Sequence, residues 1–235
     1  MKAFILAAGH GTRLSPLTEH TPKCLLPVQG VPLLEIWLEQ CNAAGIDEVL
    51  VNAHAHADQV SAFVARQSRG VRVHITQERE LLGSAGTLAE NGAFVTDDKE
   101  FFVLYGDVLT NVDLHNLLRF HRERDVAATL GVYETAEPNR CGIVELDQRG
   151  TVRSFVEKPQ EPKSHLAFAG IMVAGQEIFQ FIPKKRPADI GFDLLPKLVR
   201  KMAAMKLCGY LRDIGTMENY RAAQTDWPGL KRVAC

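Results

Sequence analysis

Apolar and polar positions along this chain follow two periods, and the switching between them marks out short covered strands and one-sided helices. Phe4-Ile5-Leu6-Ala7 is an unbroken apolar run, the pattern of a strand covered on both faces. From Pro32 to Ala44, Leu34, Trp37, Leu38 and Cys41 recur at helical spacing, and Gly45 supplies the stop. Glu48 to Ala53 reads as a strand, about Asp58 to Gln67 as a helix, Val71 to Thr76 as a strand and Ala85 to Phe94 as a helix. This βαβαβα alternation predicts a parallel sheet with helices on both faces. Phe101 to Tyr105 is almost wholly apolar, as a central strand should be, and it ends in Gly106-Asp107. Ligands of open α/β sheets lie beyond the carboxyl ends of strands, so Asp107 falls where chemistry is expected.

A helix capped by Asp113 and running to about Arg124 follows, and the pattern then turns β-rich. Ala127 to Tyr133, Gly142 to Leu146, a Gln148-Arg149-Gly150 turn, Thr151 to Val156 and Leu166 to Val173 read as a meander. Helical stretches are predicted near Gln176 to Phe181 and Phe192 to Ala203. A strand at Leu207 to Leu211 then delivers Asp213, and a helix from Met217 to about Ala223 ends the pattern. There is no internal repeat, low-complexity tract or linker.

Composition narrows the class. At 235 residues with 46% hydrophobic content, the chain can bury one α/β domain, taken here as 1–235. About 1–125 and about 126–235 are expected as its two parts. The net charge of −1 offers no long-range attraction to nucleic acid or an anionic membrane, so an anionic ligand needs a local cationic cluster. No apolar run approaches the roughly 18 to 20 residues of a spanning helix, and no cleavage pattern follows the start, which predicts a cytoplasmic protein. Cys24, Cys41, Cys141, Cys208 and Cys235 are dispersed and show no C-x-x-C spacing. They read as reduced bystander thiols rather than a disulfide framework or zinc site.

The candidate chemistry begins at Ala8-Gly9-His10-Gly11-Thr12-Arg13-Leu14, with Pro22-Lys23 downstream. Glycines let backbone N–H groups approach phosphate oxygens, while Arg13 and Lys23 supply cations of different shape. The segment is not G-x-G-x-x-G, since Leu14 stands at the third glycine, nor is it a P-loop. A nucleoside triphosphate is the ligand this arrangement suggests. His54 and His56 read as loop residues rather than metal ligands, and Lys184-Lys185-Arg186 as a solvated turn.

Leu6-Ala7-Ala8-Gly9-x-Gly11-Thr12-Arg13-Leu14 with its downstream Pro22-Lys23 resembles the signature of the sugar-1-phosphate nucleotidyltransferases. The closest likeness is to short mannose-1-phosphate and heptose-1-phosphate guanylyltransferases. That resemblance implies a Rossmann-like, mostly parallel sheet flanked by helices, with a smaller β-rich acceptor subregion: the nucleotide-diphospho-sugar transferase type. It places Leu6, Ala7, Ala8 and Gly9 along base and ribose, wraps Gly11, Thr12 and Arg13 around the triphosphate, and sets Lys23 on the reacting phosphate. Asp107 and Asp213 match the family's metal-binding aspartates, and Mg²⁺ is the implied cofactor. The catalytic set is thus Arg13, Lys23 and Asp107.

Gln77 to Thr87 looks like the base-reading loop, with Glu78, Gly83 and Ser84 toward the nucleotide. A carboxylate only accepts hydrogen bonds, so Glu78 suits the two adjacent donors of guanine better than uracil or thymine. A solvated loop charge is the plainer role for Glu78 and Glu80. Glu157-Lys158-Pro159 resembles the family's Glu-Lys-Pro motif for the sugar phosphate, Gly142 a glycine beside the sugar, and Ala169-Gly170 part of Asn-Ala-Gly. Phe168 stands where that asparagine is expected, and Arg212 before Asp213 is a second departure.

The expected partners are a nucleoside triphosphate and a sugar 1-phosphate, in capsule, lipopolysaccharide or cell-wall recycling pathways, with a homodimer left open. Many relatives continue into a hexapeptide-repeat β-helix, and acetyltransferase functions are not expected here. Two rivals stand beside GTP and a manno-configured sugar. One is uridylyl, thymidylyl or cytidylyl transfer to another phosphate. The other is a silent regulatory subunit, against which Arg13, Lys23, Asp107, Lys158 and Asp213 together argue.

Overall fold

The computed structural model describes residues 1–66 and 70–231. In chain order the strands and helices are β1 (Lys2–Leu6), β2 (Pro27–Val28), β3 (Val31–Pro32), α1 (Leu33–Ala43), β4 (Glu48–Ala53), α2 (Ala57–Val64), β5 (Arg72–Gln77), α3 (Ser84–Glu90), β6 (Glu100–Tyr105) and β7 (Val108–Thr110). They continue with α4 (Leu114–Arg122), β8 (Ala128–Glu134), β9 (Gly142–Leu146), β10 (Val152–Glu157), β11 (Leu166–Gly175), β12 (Met202–Lys206), β13 (Leu211–Asp213) and α5 (Met217–Asp226). This is the α/β class expected from the pattern. The helix predicted to Gln67 ends at Val64, and Gln67 and Cys235 lie outside the described residues.

Two compact units interleave along the chain. The first comprises 1–81, 104–114 and 208–235, the second 82–103 and 115–207. The C-terminal segment thus groups with the N-terminal residues. β13 pairs with β7, and the side chains of α5 bond to the β2 segment, as when the Tyr220 hydroxyl donates to the Pro27 carbonyl at 2.8 Å.

In the first unit, β1, β4 and β5 pair in parallel, with Phe4 opposite Leu50 and Leu50 opposite His74. Phe4, Ile5, Val49 and Val51 are fully buried, which is why these strands read as apolar runs rather than alternations. α1 buries Leu33, Leu34, Trp37, Leu38 and Cys41. It ends where Gly45 takes a left-handed φ of 68° and the Ile46 N–H returns to the Cys41 carbonyl.

The second unit departs from the expected meander. β9 pairs with β10, but β11 pairs with both β9 and β8, and β12 lies parallel to β8. The helix expected over Phe192 to Ala203 is instead a short π turn at Ile190–Leu194, a 3-10 turn at Leu195–Leu198 and the start of β12. Met202-Ala203-Ala204-Met205 are good helix formers, and pairing along β8 overrides that preference. The strand expected at Leu207 to Leu211 begins only at Leu211, after Gly209 with φ 124°.

His121 of α4 is buried and shares a 2.9 Å hydrogen bond with Thr129 of β8. Burial holds its pKa below the ordinary 6.5, with Glu100 opposing and Lys99 and Arg122 adding to the fall. The folded state therefore holds this proton less tightly than the unfolded chain, and His121 contributes stability that is lost as pH drops through about 6.5. Thermal melts from pH 8 to pH 5 are expected to fall less steeply for His121→Gln than for the parent.

Candidate active site

The first unit gathers most of the predicted nucleotide residues. β1 ends at Leu6 and the chain turns through Ala7 to Arg13. Gly11 adopts φ 64°, and a Cβ there would come within 2.9 Å of the Thr18 methyl, so the turn accepts only glycine. The Gly11 carbonyl is held by the Leu14 N–H at 2.8 Å and the Thr18 hydroxyl at 2.9 Å. This fixes the 3-10 turn Thr12–Leu14 that carries Arg13.

Lys23 stands in the 3-10 turn Lys23–Leu25, entered from Pro22 in extended conformation, and is only 9% exposed. Its ammonium donates to Asp107 Oδ2 at 2.7 Å and lies 4.0 Å from Asp213 Oδ1. Asp107 occupies the bend between β6 and β7, where the Gly106 N–H donates to the Leu6 carbonyl at 2.9 Å. Asp213 closes β13, and the Ile214 N–H donates to the Asp107 carbonyl at 2.8 Å. Two carboxylates about a hundred residues apart thus meet beside one lysine. Gly215 lies against both Asp213 and the Arg13 guanidinium: a Cβ there would approach Asp213 Oδ1 to 2.5 Å and Arg13 Nη2 to 2.9 Å.

Desolvation, then the negative charge of Asp107, raises the Asp213 carboxyl above the ordinary carboxylate range, with Lys23 and Arg13 pulling the other way. The side chain is still 55% exposed, so the like charge of Asp107 is the firmer cause. Carboxylates in mutual repulsion favour a bound cation. Among the described residues no group of three or more His, Cys, Asp or Glu could hold a metal. One or two carboxylates completed by phosphate oxygens are what Mg²⁺ commonly takes, so the pair fits that ion as a shared ligand set.

Glu78 is 5% exposed, which removes the solvated-loop role, whereas Glu80 is exposed. Glu78 Oε1 accepts from Asn52 Nδ2 at 2.8 Å, and Asn52 Oδ1 accepts the Ala7 N–H at 2.6 Å. The pattern reading missed Asn52. Its signal was present: an amide closing the apolar run Val49-Leu50-Val51 on a covered strand demands a buried partner. His54 Nδ1 bonds the Glu78 carbonyl at 2.8 Å, and its ring meets His10 edge-on at 5.0 Å.

Gly83 and Ser84 lie in the second unit. The Ser84 hydroxyl donates to Asp189 Oδ2 at 2.9 Å and accepts the Ile190 N–H at 2.7 Å, while the Ala85 and Gly86 N–H groups donate to the Ala188 carbonyl. These leading donors of α3 are therefore engaged by the chain itself.

Glu157 ends β10 between two glycines. Added Cβ atoms at Gly142 and Gly191 would come within 2.6 and 2.3 Å of its Oε2, so the carboxylate occupies a slot that only glycines leave open. Burial raises its pKa above the ordinary value, Lys158 opposes and Asp189 adds. Lys158 has φ 48°, its N–H bonds the Cys141 carbonyl at 2.9 Å, and its ammonium lies 3.9 Å from Glu157. Ala169 and Gly170 fall in the β11 irregularity between Phe168 and Met172, where Gly170 has φ 70°. Phe168, at the expected asparagine, meets Phe155 edge-on at 6.5 Å.

Burial pushes the Cys24 and Cys41 thiols up to about 12, in keeping with inert bystanders. Among the described residues Cys24, Cys41 and Cys141 are free thiols, as expected, and Cys235 lies outside the described residues.

The family model described as nucleotidyl transferase matches residues 2–228. The chain belongs to that family. It is 34% identical over 224 residues to the mannose-1-phosphate guanylyltransferase catalytic subunit beta of Drosophila pseudoobscura pseudoobscura, covering 93% of this chain and 60% of that protein. It is also 34% identical over 214 residues to the UTP--glucose-1-phosphate uridylyltransferase of Synechocystis, covering 85% of this chain and 55% of the relative. The chain thus spans about 60% of the length of the first curated relatives it matches. The crystal structure of HddC from Yersinia pseudotuberculosis complexed with GMP-PN shares the fold, with a TM-score of 0.79 at 24% identity over 96% of this chain and 99% of that one. Among the described residues no helix is long and apolar enough to cross a membrane.

Asn52→Ala removes the acceptor of the half-buried Ala7 N–H and one donor to the buried Glu78 carboxylate. A loss of about 1–3 kcal/mol in unfolding free energy is expected in urea titration.

Proposed function

We propose that this chain transfers a nucleotidyl group from a nucleoside triphosphate, GTP in preference, to a mannose- or heptose-type sugar 1-phosphate, releasing pyrophosphate. The observation that carries this reading is the Lys23 ammonium 2.7 Å from Asp107 and 4.0 Å from Asp213, with Arg13 beside Asp213. In the reaction a phosphate oxygen of the acceptor forms a bond to the α-phosphorus in line as the bond to the pyrophosphate oxygen breaks. The protein does little covalent work. It positions the groups and neutralises charge that builds on the α-phosphate and leaving group.

Lys23 stabilises charge on the α-phosphate. Arg13, presenting a planar fork, binds phosphate oxygens further along the triphosphate. Asp107 and Asp213 would hold Mg²⁺, whose contribution when bound is to offset negative charge on those oxygens. Glu157 accepts from a sugar hydroxyl and Lys158 pairs with the acceptor phosphate. Guanine is supported by the acceptor-only carboxylate of Glu78 and by the Drosophila relative's name. Uridylyl transfer is the second reading, favoured by the Synechocystis relative at equal identity.

Pyrophosphate release measured with GTP, UTP, dTTP and CTP against mannose, heptose and glucose 1-phosphates tests both readings. The expected outcome is release with GTP and a manno-configured acceptor. Exclusive use of UTP would transfer the proposal to the second reading, and no release with any pair would end both. Lys23→Met is expected to lower kcat by about 10²–10³. Glu157→Gln is expected to raise KM for the sugar phosphate while leaving that for the triphosphate unchanged, which steady-state titration of each substrate separates.

A further inference from the structure

Asp213 closes a strand of three residues, and among the described residues β13 pairs with no strand but β7, itself three residues long. A ribbon this short is marginal by itself, so the aim of its last side chain has to be set from outside the ribbon. On a strand successive side chains point to opposite faces. Arg212 therefore projects away from Asp213, and whatever grips Arg212 fixes the rotation of the strand that presents Asp213.

That grip comes from α5 and Tyr210. Arg212 Nη2 donates to Asp226 Oδ2 at 2.6 Å, Arg212 Nε donates to the Tyr210 hydroxyl at 2.8 Å, and the Tyr210 hydroxyl donates to Asp226 Oδ1 at 2.6 Å. The three side chains close a ring in which guanidinium, phenol and carboxylate each bond the other two. Tyr210 is fixed in turn. Its ring meets Trp227 edge-on at 5.1 Å, its N–H donates to Asn111 Oδ1 at 2.8 Å, and its carbonyl accepts the Thr110 hydroxyl at 2.7 Å. Asn219 of α5 accepts from Arg212 Nη1 at 3.5 Å and donates to the Asp213 carbonyl at 2.9 Å, which links the two strand residues directly. An isolated surface ion pair would be worth little, but a closed ring tied to a helix and a strand restrains orientation.

We propose that Asp226, acting through Arg212 and Tyr210, is a positioning residue that aims the Asp213 carboxylate at a divalent cation shared with Asp107. The inference rests on reading Asp107 and Asp213 as the metal pair. It gives Arg212, which departs from the family pattern, a task that does not require contact with any substrate.

The test is Mn²⁺ titration of the full chain without nucleotide, followed by the electron paramagnetic resonance signal of the free ion, with melting temperature recorded for each variant. Asp213→Asn defines loss of the site. Asp226→Asn and Arg212→Met are expected to weaken Mn²⁺ binding about 10–100-fold, the range for removing a partner that orients a metal ligand. Arg212→Lys, which keeps the charge but not the fork, should fall between them and the parent. If Asp226→Asn fails to fold, Arg212→Lys decides alone. Should the Asp226 and Arg212 variants bind Mn²⁺ within twofold of the parent while Asp213→Asn does not, the ring is structural only and the proposal is overturned, whatever the melting temperatures. If parent and Asp213→Asn bind alike, the metal pair itself is wrong.

Discussion

A lysine ammonium that is 9% exposed can persist only where negative charge meets it, and this constraint organises the first unit. Asp107 answers at 2.7 Å and Asp213 at 4.0 Å, so the end of β6, the start of β7 and the end of β13 must converge on the turn that carries Lys23. The backbone bonds Gly106 to Leu6 and Ile214 to Asp107 draw the same segments together. In the proposed reaction the same three charges would serve a triphosphate, the cation meeting its oxygens and the two carboxylates holding a metal ion.

Around this centre the polar groups are satisfied in chains rather than singly. Ala7, Asn52 and Glu78 form one such chain, which ties the end of β1 to the end of β4 and to the first residue after β5. Asn52 and Glu78 are buried and Ala7 half-buried, so these bonds form in a poorly hydrated environment and restrain the loop. In the second unit the same economy works through shape. Gly142 and Gly191 leave room for the Glu157 carboxylate, and the absence of two Cβ atoms fixes a charged group where side chains would expel it.

Much of the fold was legible in local pattern. The apolar runs at Phe4, Val49 and Phe101 became covered strands, because a strand buried on both faces must be apolar along its length. Gly45 ended α1 through its left-handed backbone. The reading failed where pairing decides. β12 is built of helix-forming residues that lie along β8, and β11 pairs with β8 as well as β9, so strand order departs from chain order.

By itself the sequence determined the glycine turn after β1, the two cations that accompany it and the apolar strand that ends before Asp107, since each is a matter of residue type and short spacing along one segment; Asp213 was singled out only by family resemblance. Only the tertiary structure decided that Asp107 and Asp213 meet at Lys23, that Asn52 holds Glu78, and that the C-terminal segment joins the N-terminal unit. Those contacts join residues distant along the chain. Their geometry is set by strand register and by the pairing of buried polar groups, and neither has a period or a motif to be read from the order of residues.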